Sequence, residues 1–206
     1  MNEKEIPDII VGRLPRYLRV LTHMRQEGRQ NTSSQELGER LGYSAAQIRK
    51  DLSQFGEFGK QGTGYSIAYL IEQLENIMHV NRVWDMVLVG TGDLGHAIAR
   101  YQGFRNCGFE VVMVFDNDPE KIGKQIGNFT IQDSATMVHK IREAGIKIAM
   151  ITVPANTAQE VADELIKAGI RAILNYAPMI LTVPEGIQVQ YIDPVVHLQH
   201  MTYYFE

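Results

Sequence analysis

Gly90, Gly92 and Gly95 stand at the spacing G-x-G-x-x-G, directly after the apolar run Met86-Val87-Leu88-Val89. Such a triplet has a division of labour: the first glycine permits a tight strand-to-helix turn, the second lets the backbone approach a pyrophosphate, and the third lets helix and strand touch. A helix starting near Asp93, with Thr91 and Leu94 beside it, offers unpaired N–H groups to the anion. A second apolar run ends in Asp116-Asn117, about the expected distance downstream. A carboxylate there accepts both hydroxyls of an adenosine ribose and repels a 2′-phosphate. The pattern predicts a site for NADH and NAD⁺ in preference to NADPH. Coenzyme A is the alternative ligand, because related α/β domains hold it at the same turn.

The elements that must position this turn begin only near residue 85. Beyond it strands and helices alternate. Residues 144–154 and 168–178 look alike, each with a helix-ending glycine, an apolar strand and a proline loop. They read as successive units of a parallel Rossmann-like sheet, which makes the chain α/β in class. Pro154 falls in one of these loops, at the carboxyl edge where open α/β sheets bind ligands.

A separate unit must therefore precede the sheet. Apolar positions from Ile10 to Met24 recur at helical spacing and close at Gly28, with Pro15 marking either a kink or a helix start. Ser33-x-x-Glu36 and Ser44-x-x-Gln47 are capping boxes for two short helices joined by Gly42-Tyr43. This is a helix-turn-helix pattern, spanning about residues 17–56. Phe58 to Tyr65 is too rich in glycine for a helix and reads as a short hairpin, a wing with Lys60 and Gly62 at its tip. The second helix would offer Ala46, Gln47, Arg49, Lys50 and Ser53 to DNA. Gln47 suits adenine, while Arg49 or Lys50 suits guanine or a phosphate. The plain alternative is that Arg49-Lys50-Asp51 is a solvated face. A further amphipathic helix spans residues 66–80, and Asn81-Arg82 marks the boundary.

Charge follows the same division. The chain carries a net −4, yet residues 13–60 hold 9 basic against 5 acidic groups and residues 85–206 hold 9 against 14. A basic head on an acidic body is what a DNA-contacting unit requires. Hydrophobic residues make up 45% of the chain, and no apolar run approaches the roughly 18 residues that span a bilayer. Residues 1–5 lack the pattern of a secretory signal, and the one cysteine, Cys107, can form no internal disulfide. A cytoplasmic protein is expected. His197 and His200 share a helical face, but no ligand at suitable spacing joins them, so no metal is expected. Nor is there a convincing proton donor or substrate cation for a dehydrogenase, so no catalytic residue is assigned. An NAD-dependent oxidoreductase and a coenzyme A-binding ligase subunit stand as the alternative functions.

The run from Arg49 to Tyr65 resembles the signature of the Rex family of redox-sensing repressors. Arg13 to Arg19, Gly90 to Gly95, Tyr101 to Phe104, Phe115 to Pro119 and Asn175 to Pro178 are also similar to that family, in the same order along nearly the whole chain. The resemblance implies a winged-helix domain over residues 1–80, a Rossmann domain over 85–192 and a terminal helix over 193–206 swapped between the protomers of a homodimer. It implies a repressor that binds an inverted-repeat operator and leaves it when NADH binds. It also implies that Asp193 pairs with Tyr101 and Arg19 as the switch. From the residues themselves, Asp193 is a good N-cap with Pro194 following, and Val195, Leu198, Met201 and Phe205 form an apolar stripe that needs a partner. Pro194-Val195 departs from many relatives.

Overall fold

The computed structural model describes residues 6–59 and 64–205. The chain divides after Arg82 into two compact units.

The first unit consists of α1 (Asp8–Val11), α2 (Leu14–Gln26), β1 (Asn31–Thr32), α3 (Ser34–Leu41), α4 (Ala45–Leu52), β2 (Tyr65–Ser66) and α5 (Ile67–Ile77). Pro15 lies in the first turn of α2, where its missing N–H costs no helical bond. Both capping boxes form on the serine side: Ser33 Oγ accepts from Glu36 N–H and Ser44 Oγ from Gln47 N–H, each at 3.1 Å. Gly42 ends α3 in the left-handed region. The turn then passes so close over α3 that a Cβ on Gly38 would lie 2.4 Å from the Tyr43 carbonyl oxygen. Leu14, Tyr17, Leu21, Leu37, Ile48, Leu52, Ile67 and Leu74 fill the core.

Of the expected hairpin at Phe58 to Tyr65 the structure describes the two ends, Phe58-Gly59 and Gly64-Tyr65. Its second arm is a strand, but β2 pairs antiparallel with β1, Tyr65 opposite Thr32 and Ser66 opposite Asn31. Phe58-Gly59 carries no strand, although a Cβ on Gly59 would lie 2.7 Å from the Gly64 carbonyl oxygen, so the two ends of the loop meet. Lys60 and Gly62 fall outside the described residues.

A carboxylate sits in this core. Asp51 is 0% exposed. Its Oδ1 accepts from Arg13 Nη2 (2.8 Å) and Gln47 Nε2 (2.7 Å), and its Oδ2 from Arg13 Nε (2.6 Å) and the Tyr17 hydroxyl (2.5 Å). Four donors thus meet the roughly four lone-pair sites of an ionised carboxylate.

The second unit contains β3 (Trp84–Val89), α6 (Asp93–Arg100), β4 (Phe109–Asp116), β5 (Gln125–Ile126), β6 (Phe129–Thr130), β7 (Gln132–Asp133), α7 (Met137–Ala144), β8 (Ile148–Ile151), α8 (Ala155–Ala168), β9 (Ala172–Asn175), β10 (Gln188–Tyr191) and α9 (Pro194–Thr202). Six strands form one sheet in the order β10-β9-β8-β3-β4-β7, every pair parallel. Along β3 the side chains alternate between two cores: Val87 and Val89 pack with residues of α7 and α8, Met86 and Leu88 with Ile98 and Ala99 of α6. Cover on both faces explains why these strands read as unbroken apolar runs. Gly145 and Gly169 end α7 and α8 in the left-handed region, and each helix then drops into a strand. By contrast α9 buries no residue: Val195, Leu198 and Met201 are each more than half exposed.

Desolvation alone would raise the Asp51 pKa, but the hydrogen bonds from Arg13, Tyr17 and Gln47 outweigh it and hold the carboxyl below its ordinary range. The stability it contributes is therefore complete above the ordinary carboxylate value of about 3.9 and is lost as pH falls through the depressed one. Acid titration followed by circular dichroism is expected to show the helices of the first unit persisting as pH drops past about 4 and melting only below it. Asp51→Ala leaves the Arg13 charge without its partner and should cost about 3–5 kcal/mol in denaturant unfolding of that unit.

Candidate functional site

The glycine turn lies where the sheet reverses its order. From β3 the chain moves to β4 on one side and returns to β8 on the other. Crevices at such points, beyond the carboxyl ends of the strands, are where open α/β sheets hold ligands.

Gly90 has a φ of +98°, and its N–H donates to the Phe115 carbonyl at 2.8 Å, tying the end of β3 to β4. On the other side the Thr152 hydroxyl lies 2.8 Å from the Gly90 carbonyl oxygen and 3.1 Å from that of Val89. A Cβ on Gly95 would lie 2.1 Å from the Gly90 oxygen, so α6 can approach the turn only without a side chain there. Gly92 is different. Its extended backbone, φ −71° and ψ −172°, suits any residue, and an added Cβ would have no protein atom within 4 Å. No described residue crowds this position, and the open space suits a pyrophosphate lying against the backbone. The first bond of α6 runs from His96 N–H to the Gly92 carbonyl, leaving the N–H groups ahead of it at the helix mouth. The residues present fit a dinucleotide phosphate.

Asp116, expected to accept both hydroxyls of an adenosine ribose, is 6% exposed and also faces the turn. Its Oδ2 accepts from Thr91 N–H at 2.7 Å and from the Thr91 hydroxyl, its Oδ1 from Asp118 N–H at 2.9 Å, and the Lys121 ammonium lies 3.5 Å from Oδ2. Burial by itself would raise its pKa, but these bonds and the lysine charge hold it low, so it is ionised. The reason is local: Thr91 is buried with two donors, and a charged acceptor at the end of β4 satisfies both. Asp116 thus positions the turn. Asp93, Leu94, Asn117 and Pro154 are exposed, and Pro154 precedes the first turn of α8.

On the helix-turn-helix, Ala46, Arg49, Lys50 and Ser53 are exposed and Gln47 is half-buried. The Arg49 guanidinium donates to Ser34 Oγ at 2.9 Å, and the Ser53 hydroxyl donates to the Lys50 carbonyl at 2.8 Å. Asp51 does not belong to a solvated face. It follows Ile48 by three residues on the buried stripe, and that spacing was the available signal that it must be paired. Arg13, Tyr17 and Thr152 also escaped the sequence reading. Of the expected switch residues, Arg19 is exposed on α2, Tyr101 sets its ring edge-on to Phe104 at 4.9 Å, and Asp193 caps its own helix through Val195 N–H at 2.9 Å. No group of three or more metal-ligating side chains occurs among the described residues.

Residues 5–53 match the family model described as putative DNA-binding protein N-terminus, and residues 81–179 the model described as CoA binding domain. The redox-sensing transcriptional repressor Rex of Chloroflexus aggregans is 57% identical over 198 residues, covering 96% of this chain and 93% of its own. That of Carboxydothermus hydrogenoformans is 41% identical over 203 residues, covering 98% of each. Among solved structures, RSP in complex with β-NAD⁺ and operator DNA aligns with a TM-score of 0.92 at 34% identity, over 97% of this chain and 92% of that one. RSP in complex with β-NADH aligns at 0.89 and 32% identity, over 98% and 95%. With identities of this size over almost its entire length, the chain belongs to the Rex family of redox-sensing transcriptional repressors.

Proposed function

We propose that this protein is a transcriptional repressor that reads the NADH/NAD⁺ balance: it holds operator DNA through its first unit and releases it when NADH binds the second. It is a regulator and not an enzyme. One observation carries the reading. The same chain joins a helix-turn-helix to a glycine turn whose central residue, Gly92, leaves open the space a pyrophosphate takes. RSP, solved with β-NAD⁺ and operator DNA and with β-NADH, supports it. The working form is a cytoplasmic homodimer on an inverted repeat, with α9 exchanged between protomers. The uncovered Val195, Leu198, Met201 and Phe205 support the exchange, since an apolar face this large needs a partner. Gly90 to Gly95 hold the pyrophosphate, Asn117 and Pro154 flank the cofactor, and Ala46, Gln47, Arg49, Lys50, Ser53, Lys60 and Gly62 face DNA.

The test uses a duplex enriched from a random pool by the protein itself. NADH should release it at concentrations where NADPH does not, because the Asp116 carboxylate at the end of β4 disfavours a 2′-phosphate, and coenzyme A should not release it. Gly92→Ala should melt at the wild-type temperature and yet lose the response. Equal potency of NADPH, or an intact response in Gly92→Ala, counts against the assignment.

Release requires a contact made in one state and broken in the other. Asp193 is proposed to make it, exchanging the Tyr101 hydroxyl for the Arg19 guanidinium. In Asp193→Ala, NADH binding measured by calorimetry should persist, while the ratio of duplex affinities with and without NADH should shrink by most of a coupling of about 1–3 kcal/mol. An unchanged ratio leaves Asp193 as a helix cap alone.

A further inference from the structure

Gln47 is positioned by a group that the DNA reading did not use. It stands in the first turn of α4, the part of a recognition helix that meets base edges. Its amide is anchored: Nε2 donates to Asp51 Oδ1 at 2.7 Å, one helical turn further on. The other end of that carboxylate is fixed in the core by Arg13 and the Tyr17 hydroxyl. We propose that Asp51 is a positioning residue that fixes which end of the Gln47 amide faces DNA, and that the fixed amide selects adenine over guanine at one base pair of each half-site. This inference rests on the DNA-binding reading.

The chemistry is one of polarity. An ionised carboxylate only accepts hydrogen bonds, so it must face the amide nitrogen and never the amide oxygen. All four of its donors are accounted for, and Asp51 is held ionised by them. Gln47 is left with Oε1 and one remaining N–H to present outward. Adenine offers a matching donor at N6 and acceptor at N7, whereas guanine offers two acceptors, O6 and N7. Over guanine the outward Oε1 meets O6, and two acceptors repel. An untethered glutamine escapes this by rotating its NH₂ onto guanine; the tie to Asp51 removes that option and turns an adaptable side chain into a discriminating one.

The experiment takes the duplex enriched by the full-length wild type, replaces each A·T pair in turn by G·C, and records the loss of affinity. One pair per half-site should show a penalty of roughly 5- to 150-fold that Gln47→Met reduces to about twofold or less, the other positions keeping theirs. Asp51→Asn, whose carboxamide can offer either end to Gln47, should lower that same penalty and lower it no further in the Gln47→Met background. Penalties unchanged in Gln47→Met, or lowered equally by Asp51→Asn with and without Gln47, overturn the proposal. Should Asp51→Asn fail to fold, the side-chain amide signals of the wild type decide. The pair that disappears in Gln47→Met must stand apart from the other glutamines in shift and exchange rate, and a pair indistinguishable from them overturns the tie. A wild type that enriches no duplex at all overturns the DNA reading, an outcome distinct from either of these.

Discussion

A carboxylate removed from water must be given donors, and in each unit of this chain one such group dictates where the backbone goes. Asp51 draws Arg13 and Tyr17 of the α2 region onto α4 across 38 and 34 residues of sequence. Asp116 draws Thr91 across 25 and so fixes the path between β3 and α6. Apolar packing alone tolerates small slides of one element past another. Charge-assisted bonds with set directions do not. The two elements that a regulator of this kind most needs to hold in place, the helix proposed to meet DNA and the turn proposed to meet phosphate, are pinned in this manner.

Around the phosphate turn the constraint is completed by exclusion. Gly90 and Gly95 are glycines because Thr152 and Val153, just past β8, and the Gly90 carbonyl itself occupy the space a Cβ would need. Gly92 is glycine with space to spare. A motif that looks uniform in sequence therefore divides into two positions answering to the fold and one that the fold leaves open. Thr152, contributed by the next strand over, buttresses the turn from behind by engaging the Val89 and Gly90 carbonyls.

What was legible in the sequence was local. Ser33, Ser44 and Gly42 announce helix ends because a cap acts on a backbone group within a few residues, and Gly145 and Gly169 do the same by their left-handed backbone. The apolar run of β3 reads as a strand ahead of the glycine turn, and it is one. What was not legible depends on residues far apart. Two-residue strands such as Asn31–Thr32 have no period to detect, and their partner at Tyr65–Ser66 can only be known once α3 and α4 have folded between them. The same holds for Asp116: its place at a strand end was plain, but the direction of its carboxylate was set by Thr91, whose two unsatisfied donors no pattern reveals. Gln47 was identified as a base reader without its anchor, since Asp51 was taken with its charged neighbours and not with Ile48.

The bare α9 has a consequence for how much protein there must be. Tyr203, Tyr204 and Phe205 extend its apolar surface to the end of the described chain, each more than two-thirds exposed. If a second copy covers this surface, as proposed, its binding energy goes to the folded state and to nothing else, and stability becomes a function of concentration. A cell holding few copies would carry a less robust molecule than one holding many, and a dilute preparation would melt earlier than a concentrated one. Abundance would then itself tune the number of intact molecules, apart from any signal the glycine turn receives.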